Sequence, residues 1–198
     1  MVHHVPLAIT LRDNAALEHY FSVGNAEALF ALQQCADGKG EQFIYLWGAS
    51  GTGKSHLLQA VCKAVGDAVY LPLSETESMM PEMLDGLESM DVVCIDDMDN
   101  IAGNEVWETQ VFNLFNGIRE TGNRLIISGN AKPADLKIKL PDLVSRLNWG
   151  LTLQLQLLSD DDKLGALQLR AGQRGFDLLD HVGRYLFKTS TRAFSYLF

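Results

Sequence analysis

This chain has no long apolar run, no basic stripe and few cysteines. No stretch approaches the roughly 20 apolar residues that a membrane-spanning helix needs, and the first residues lack the charged-then-apolar build of a secretory signal. A membrane protein is excluded on this reading, and a cytoplasmic one is expected. The three cysteines, Cys35, Cys62 and Cys94, are an odd number without metal-type spacing. Each sits in an apolar helix or strand pattern, so reduced core thiols are expected rather than a disulfide or a nucleophile. Acidic side chains outnumber basic ones 25 to 16, a formal net charge of −9. The closest approach to a basic patch is Lys132 with Lys137 and Lys139, too short to neutralise a run of phosphates. Direct sequence-specific DNA binding is therefore not expected. An acidic protein in a nucleic-acid pathway would work through other proteins. Repeats and low-complexity tracts are also missing, and His3-His4 reads as a terminus rather than a metal site.

What is present is a complete phosphate loop. Gly48-Ala49-Ser50-Gly51-Thr52-Gly53-Lys54-Ser55 follows the apolar run Phe43–Trp47 and opens into a helical stretch beginning His56-Leu57-Leu58. That strand–loop–helix setting is what gives the motif its meaning. Its glycines let backbone N–H groups turn toward a phosphate, and the helix N-terminus adds partial positive charge. Lys54 would reach the β- and γ-phosphates and Ser55 would hold Mg²⁺. The expected ligand is a nucleoside di- or triphosphate, with the base not fixed by the motif.

Around the loop, strand and helix patterns alternate, which predicts an α/β fold: a mostly parallel sheet covered by helices on both faces. The expected strands are Phe43–Trp47, Ala68–Leu71, Val92–Asp96, Arg124–Ser128 and Leu151–Leu155. Helices are expected over Asn25–Ala36 and over Asn104–Glu120, the latter with Trp107, Val111, Leu114, Phe115 and Ile118 on one face. A short helix is expected over Pro141–Leu147. Ser159 followed by three aspartates reads as an N-cap with acids in the first turn, and a last helix is expected over Leu178–Phe187. A boundary falls near residue 158, giving an N-terminal segment (1–19), a nucleotide-binding core (20–158) and a small helical lid (159–198).

Val92-Val93-Cys94-Ile95-Asp96-Asp97 is a hydrophobic strand ending in carboxylates, the Walker B pattern. Asp96 would hold Mg²⁺ through water, and Asp97 would orient the attacking water. Asp97 is one methylene shorter than the glutamate many related ATPases use, so slow turnover is expected. The next strand ends in Ser128-Gly129-Asn130. Either polar side chain could meet a γ-phosphate, or the three could simply form a strand-end turn.

The order of phosphate loop, Walker B, Ser/Asn-ended strand and Ser145-Arg146 resembles the AAA+ ATPases. Within them, Trp47-Gly48 through Leu58 and Leu143-Val144-Ser145-Arg146-Leu147 are similar to the bacterial DnaA branch. Val93–Asp96, Ile101–Glu108 and Leu140–Leu143 running on to Asn148-Trp149-Gly150 resemble its Hda-type regulators more closely still. The resemblance covers about residues 7–187 and implies a five-stranded AAA+ core with a helical lid. Bound ADP or ATP with Mg²⁺ would lie between them, with Tyr20, Phe21 and His56 among its contacts.

The resemblance further implies a regulator that meets ATP-bound DnaA beside the DNA polymerase III sliding clamp and provokes hydrolysis of DnaA's ATP. Arg146 would be the arginine finger acting in trans, and self-association into an oligomer is also open. The family's clamp-binding segment begins Gln-Leu, whereas the corresponding stretch here, His4–Ile9, lacks the glutamine and is degenerate. The lid is expected to be short, with Arg192 as its phosphate-contacting arginine. No stretch resembles the helix-turn-helix DNA-binding domain of DnaA. Two other classes are weighed against this reading. One is a stand-alone AAA+ ATPase, such as a helicase loader or an initiator core. The other is a small-molecule kinase, for which the arginine cluster around an acceptor is missing.

Overall fold

In the computed structural model, which describes residues 15–189, five strands form one all-parallel sheet. They are β1 (Phe43–Trp47), β2 (Ala68–Pro72), β3 (Val92–Asp96), β4 (Arg124–Gly129) and β5 (Leu151–Gln154), in the spatial order β2-β3-β4-β1-β5. Parallel neighbours need crossovers: α2 (Lys54–Val65), α3 (Glu105–Thr121) and α4 (Pro141–Leu147) supply three of them, short 3-10 turns supply the one between β2 and β3, and α1 (Ala26–Ala36) precedes β1. Helices α5 (Asp160–Gln173) and α6 (Asp180–Thr189) follow the last strand and pack on each other. Among the described residues no helix is long and apolar enough to cross a membrane.

Alternation along β1 separates the two faces. Ile44 and Leu46 join one buried cluster with Leu32 and Cys35 of α1 and Leu57, Leu58 and Val61 of α2. Tyr45 joins the other, with Val111, Leu114, Phe115 and Ile118 of α3 and Leu143 and Leu147 of α4. A sheet covered on both faces needs strands apolar at every position, and all five residues of β3 are buried. The three cysteines are buried free thiols, as their apolar settings foretold.

Helix boundaries follow their caps. Asn104 lies just outside α3, its Oδ1 accepting from the N–H groups of Val106 and Trp107, so the helix begins one residue later than the periodicity indicates. At α5 the expected cap is a full capping box: Asp162 N–H donates to Ser159 Oγ, and Ser159 N–H donates to Asp162. The last helix starts at Asp180 rather than Leu178, because the N–H groups of Val182 and Gly183 turn back to the Leu179 carbonyl. Leu155 falls outside β5, although its N–H still donates to Trp47 O at 2.7 Å. Lys132 and Lys139 make surface ion pairs with Asp135 and Glu105, which fits a solvated loop.

One buried carboxylate fixes how α3 meets the segment entering α4. Glu108 is wholly buried and accepts from Gly103 N–H (2.6 Å), Lys139 N–H (3.0 Å) and Leu140 N–H (2.9 Å). Charge-assisted bonds of this kind are the stronger ones. Glu108→Ala leaves three backbone donors without their acceptor, and the expected loss is about 3 kcal/mol or more. The check is a lower urea midpoint with an unchanged slope.

Candidate functional site

Gly48–Ser55 runs from the end of β1 into α2, with Ala49, Ser50 and Gly51 exposed at its tip. Gly53 has φ +91, and a Cβ there would lie 2.7 Å from the Tyr20 ring, so both the turn and the close approach require glycine. Thr52 Oγ1 donates to Ala49 O at 3.0 Å and stiffens the loop. Lys54, only 5% exposed, curls back over it and donates to Gly48 O (2.7 Å), Ala49 O (3.2 Å) and Asn130 Oδ1 (3.1 Å). Burial lowers the Lys54 ammonium pKa, and the negative charges of Asp97, Asp96 and Asp99 partly restore it. The arrangement holds a cation under a ring of backbone groups, with an exposed rim on which an anion can settle.

The tips of β3 and β4 supply the acidic wall. Asp96 is 1% exposed, and each of its oxygens has a hydroxyl donor: Tyr70 to Oδ2 at 2.6 Å, and Ser128 to Oδ1. Ser55 and Gln59 of α2 lie close enough to the Tyr70 phenol to pull its raised pKa part of the way back, so the phenol lies by both residues expected at a metal. Their oxygens are the hard donors Mg²⁺ takes, and each Asp96 oxygen keeps a second lone pair for a metal-bound water. Asp97 is the only residue other than glycine with positive φ among those described (φ 59, ψ 52). Its N–H donates to Ser128 Oγ at 3.1 Å, and burial followed by the neighbouring Asp96 charge raises its pKa.

Of the two polar candidates at the end of β4, the structure separates the roles. Ser128 is fully buried and spends its hydroxyl on Asp96, so it does not face the loop. Asn130 is exposed and touches Lys54. Asp99 grips Asn130 twice, accepting from its N–H (2.7 Å) and its Nδ2 (2.8 Å), which aims the amide oxygen at the lysine. Tyr70 and Asp99 escaped the sequence reading. The run Asp96-Asp97-Met98-Asp99 contains the signal for Asp99; nothing local marks Tyr70.

The N-terminal segment braces the loop from the other side. Tyr20 OH donates to Thr52 O (2.9 Å) and accepts from Asn25 Nδ2 (3.0 Å). Asn25 in turn holds the Gln156 backbone through Nδ2 (3.1 Å) and Oδ1 (2.7 Å), joining α1 to the segment after β5. Phe21 reaches Gly165 of α5, where an added Cβ would lie 3.1 Å from its ring. His56 is buried; its Nε2 lies 3.2 Å from Ala16 O, and its ring stacks on Tyr20, so it supports the brace rather than the rim. Arg146 is half-buried on α4 with its guanidinium over the Trp149 ring. Arg192 and the clamp-type stretch His4–Ile9, with His3, lie outside the described residues.

The sequence matches the family of bacterial DnaA ATPase domains over residues 74–154, and then the Hda lid-domain family over residues 160–198. The chain thus carries a DnaA-type ATPase segment followed by an Hda-type lid segment. Solved structures carry the same fold. Replication initiator DnaA bound to AMPPCP and single-stranded DNA superposes with TM-score 0.78 at 22% identity, over 93% of this chain and 63% of that one. AMPPCP-bound DnaA from Aquifex aeolicus gives 0.76 at 22%, over 92% and 62%. Domain III of DnaA from Thermotoga maritima gives 0.78 at 21%, over 95% and 86%. This chain thus spans less than two thirds of the first two of these proteins, and 86% of the isolated domain.

The raised phenols of this chain predict a sensitivity to alkali. Burial pushes the Tyr20 phenol up to about 12, with the Asn25 hydrogen bond pulling part of the way back. Tyr45 and Tyr70 are raised further, by burial first and then by the Asp99 and Asp96 charges respectively. In the unfolded chain these phenols ionise near 10. The folded state therefore keeps protons that the unfolded state releases. Their contribution is complete below pH ~10 and is lost as pH rises toward the folded values, at about 1.4 kcal/mol per pH unit per tyrosine. Urea midpoints should hold up to about pH 10 and fall steeply from there to about pH 11.5, and Tyr20→Phe should make that fall shallower by one tyrosine's share.

Proposed function

We propose that this chain is a nucleotide-holding regulator of replication initiation of the Hda type. It docks beside ATP-bound DnaA, together with the DNA-loaded sliding clamp, and its Arg146 guanidinium enters the neighbour's site. There it stabilises the charge that develops as DnaA's ATP is hydrolysed. The observation that carries this reading is the presence in one chain of a DnaA-type ATPase segment and an Hda-type lid. Arg146 adds independent support: among the described residues it makes no ion pair, and it sits on the surface of α4.

In this reading the core over residues 20–158 and the lid over 159–198 enclose the chain's own nucleotide, an adenine di- or triphosphate. The rim of Gly48–Ser55 and Lys54 hold its phosphates, and Tyr20 and Phe21 flank it between the loop and α5. Ser55 and Asp96 hold Mg²⁺, whose charge offsets that of the phosphates when bound. Asn130 serves as the polar contact near the γ-phosphate, and Arg192 serves from the lid. Asp97 is the water-orienting candidate. Its left-handed backbone and raised pKa favour slow turnover in this chain, leaving the finger as its main contribution. The degenerate His4–Ile9 stretch makes clamp engagement the weakest contact of the assembly. A face built to serve a neighbouring site also admits self-association.

A complete phosphate loop with Asp97 favours a second reading, a stand-alone AAA+ ATPase. One experiment separates the two: ATP hydrolysis by purified DnaA, with clamp on DNA, measured with and without this chain. Trans fingers are worth about 10³–10⁵ in rate in other NTPases. A large acceleration lost in a folded Arg146→Ala variant is the expected result. Robust hydrolysis by this chain alone, with no effect on DnaA, would select the second reading.

A further inference from the structure

Two guanidiniums share one exposed indole beside α4. Arg146 Cζ lies 5.2 Å from the Trp149 ring centroid, and Arg119 Cζ, from the last turn of α3, lies 5.9 Å away. Among the described residues neither arginine makes an ion pair, in a chain with 25 acidic side chains to choose from. The indole is 57% exposed, yet its placement is fixed. Trp149 N–H donates to Arg146 O at 3.0 Å. Its ring lies nearly parallel to Phe43 (centroids 6.1 Å apart, 17°) and 6.2 Å from Phe115, while Phe43 and Phe115 stack at 3.9 Å. The following residue, Gly150, presses so closely on β1 that a Cβ would run into the Phe43 carbonyl oxygen.

Like charges over one ring repel each other, and the negative face of the indole offsets part of that repulsion. A carboxylate would be the ordinary neutralising neighbour. With the ring in its place, both forks keep all their donors free for an anion from outside. A large exposed aromatic set between arginines also matches the composition of binding hot spots. An arginine free in solvent samples many rotamers, and fixing it on docking costs side-chain entropy. A rigid platform removes part of that loss before docking.

We infer that Trp149 is the positioning residue for Arg146, and that Arg119 joins them to make a two-guanidinium face for an anion. The occupant is the polyphosphate of a nucleoside triphosphate held by a neighbouring chain, so the inference rests on the function proposed above. Bidentate forks suit phosphate oxygens, and the guanidinium exchanges a cation–π contact for charge-assisted bonds as it engages. Trp149 stays behind as the wall of the interface.

The test combines stimulated hydrolysis with a readout that needs no partner. In the DnaA assay, Trp149→Leu should lower the maximal stimulated rate by about three- to tenfold, and Trp149→Phe should restore most of it, the range expected for one cation–π contact. Arg119→Gln should instead raise the half-saturating concentration of this chain by about threefold, as a rim charge does. Circular dichroism confirms folding of each variant. Acrylamide quenching reports the platform directly, because Trp107 is buried and Trp47 half-buried, leaving Trp149 as the accessible indole. Arg146→Gln and Arg119→Gln should each raise the quenching constant, by roughly half, as the cation leaves the ring. Wild-type stimulation by Trp149→Leu, with Arg146→Ala inactive, would overturn the platform and leave the proposed function standing. If the unmodified chain fails to accelerate DnaA, the function falls instead. Quenching then decides the platform alone, and constants unchanged in both arginine variants would overturn it.

Discussion

A carboxylate buried at the end of a central strand has to be met by donors, and the way Asp96 is met organises everything around the phosphate loop. Its two oxygens accept hydroxyls from Tyr70 on β2 and Ser128 on β4, so the tips of three adjacent strands are tied through one side chain. Ser55 and Gln59 also act on the Tyr70 phenol, which sets the start of α2 beside the same network. Ser128 gives its hydroxyl to Asp96, and Asn130 is the strand-end side chain that meets Lys54. Asn130 is aimed by Asp99, a third carboxylate a few residues further along the chain. The proximity of these negative charges also partly restores the Lys54 pKa that burial depresses.

The opposite face of the sheet has a different logic. There Glu108 clamps the turn before α3 to the segment entering α4 through backbone donors alone. The stacked rings of Phe43 and Phe115 extend the core outward to Trp149. Arg146 is therefore carried on a helix whose approach is fixed by a buried carboxylate and whose end is fixed by an aromatic layer. In the function proposed for Arg146 such rigidity is a gain, since side-chain freedom lost on docking weakens a contact.

Much of this architecture was legible in the sequence because it depends on local periodicity. All five strands and the helices between them were readable from runs such as Val92–Asp96 and from the apolar face of Trp107, Val111, Leu114, Phe115 and Ile118. Residual differences lie at ends, where Asn104 and Leu179 decide helix starts through hydrogen bonds that periodicity does not register. The site was legible as far as motifs extend: the loop, the Walker B strand and the polar end of β4. Tyr70, Asp99, Asn25 and Trp149 were not. Tyr70, Asp99 and Asn25 meet residues distant in sequence, and Trp149 meets Arg119 and Phe43 as well as its neighbour Arg146. A lone tyrosine or tryptophan in an apolar stretch looks the same whether or not it meets a charge.

By itself, then, the sequence determined the fold class, the phosphate-binding loop and the order of the parts, because each is written in spacing along a continuous segment. The tertiary structure decided which polar group meets which. It turned Ser128 inward, set Asn130 beside Lys54, and laid Arg119 and Arg146 over one ring. Those outcomes follow from burial and from the crossing of strands and helices: Asp96 and Ser128, 32 positions apart, and Lys54 and Asn130, 76 apart, become neighbours only when the sheet closes them together.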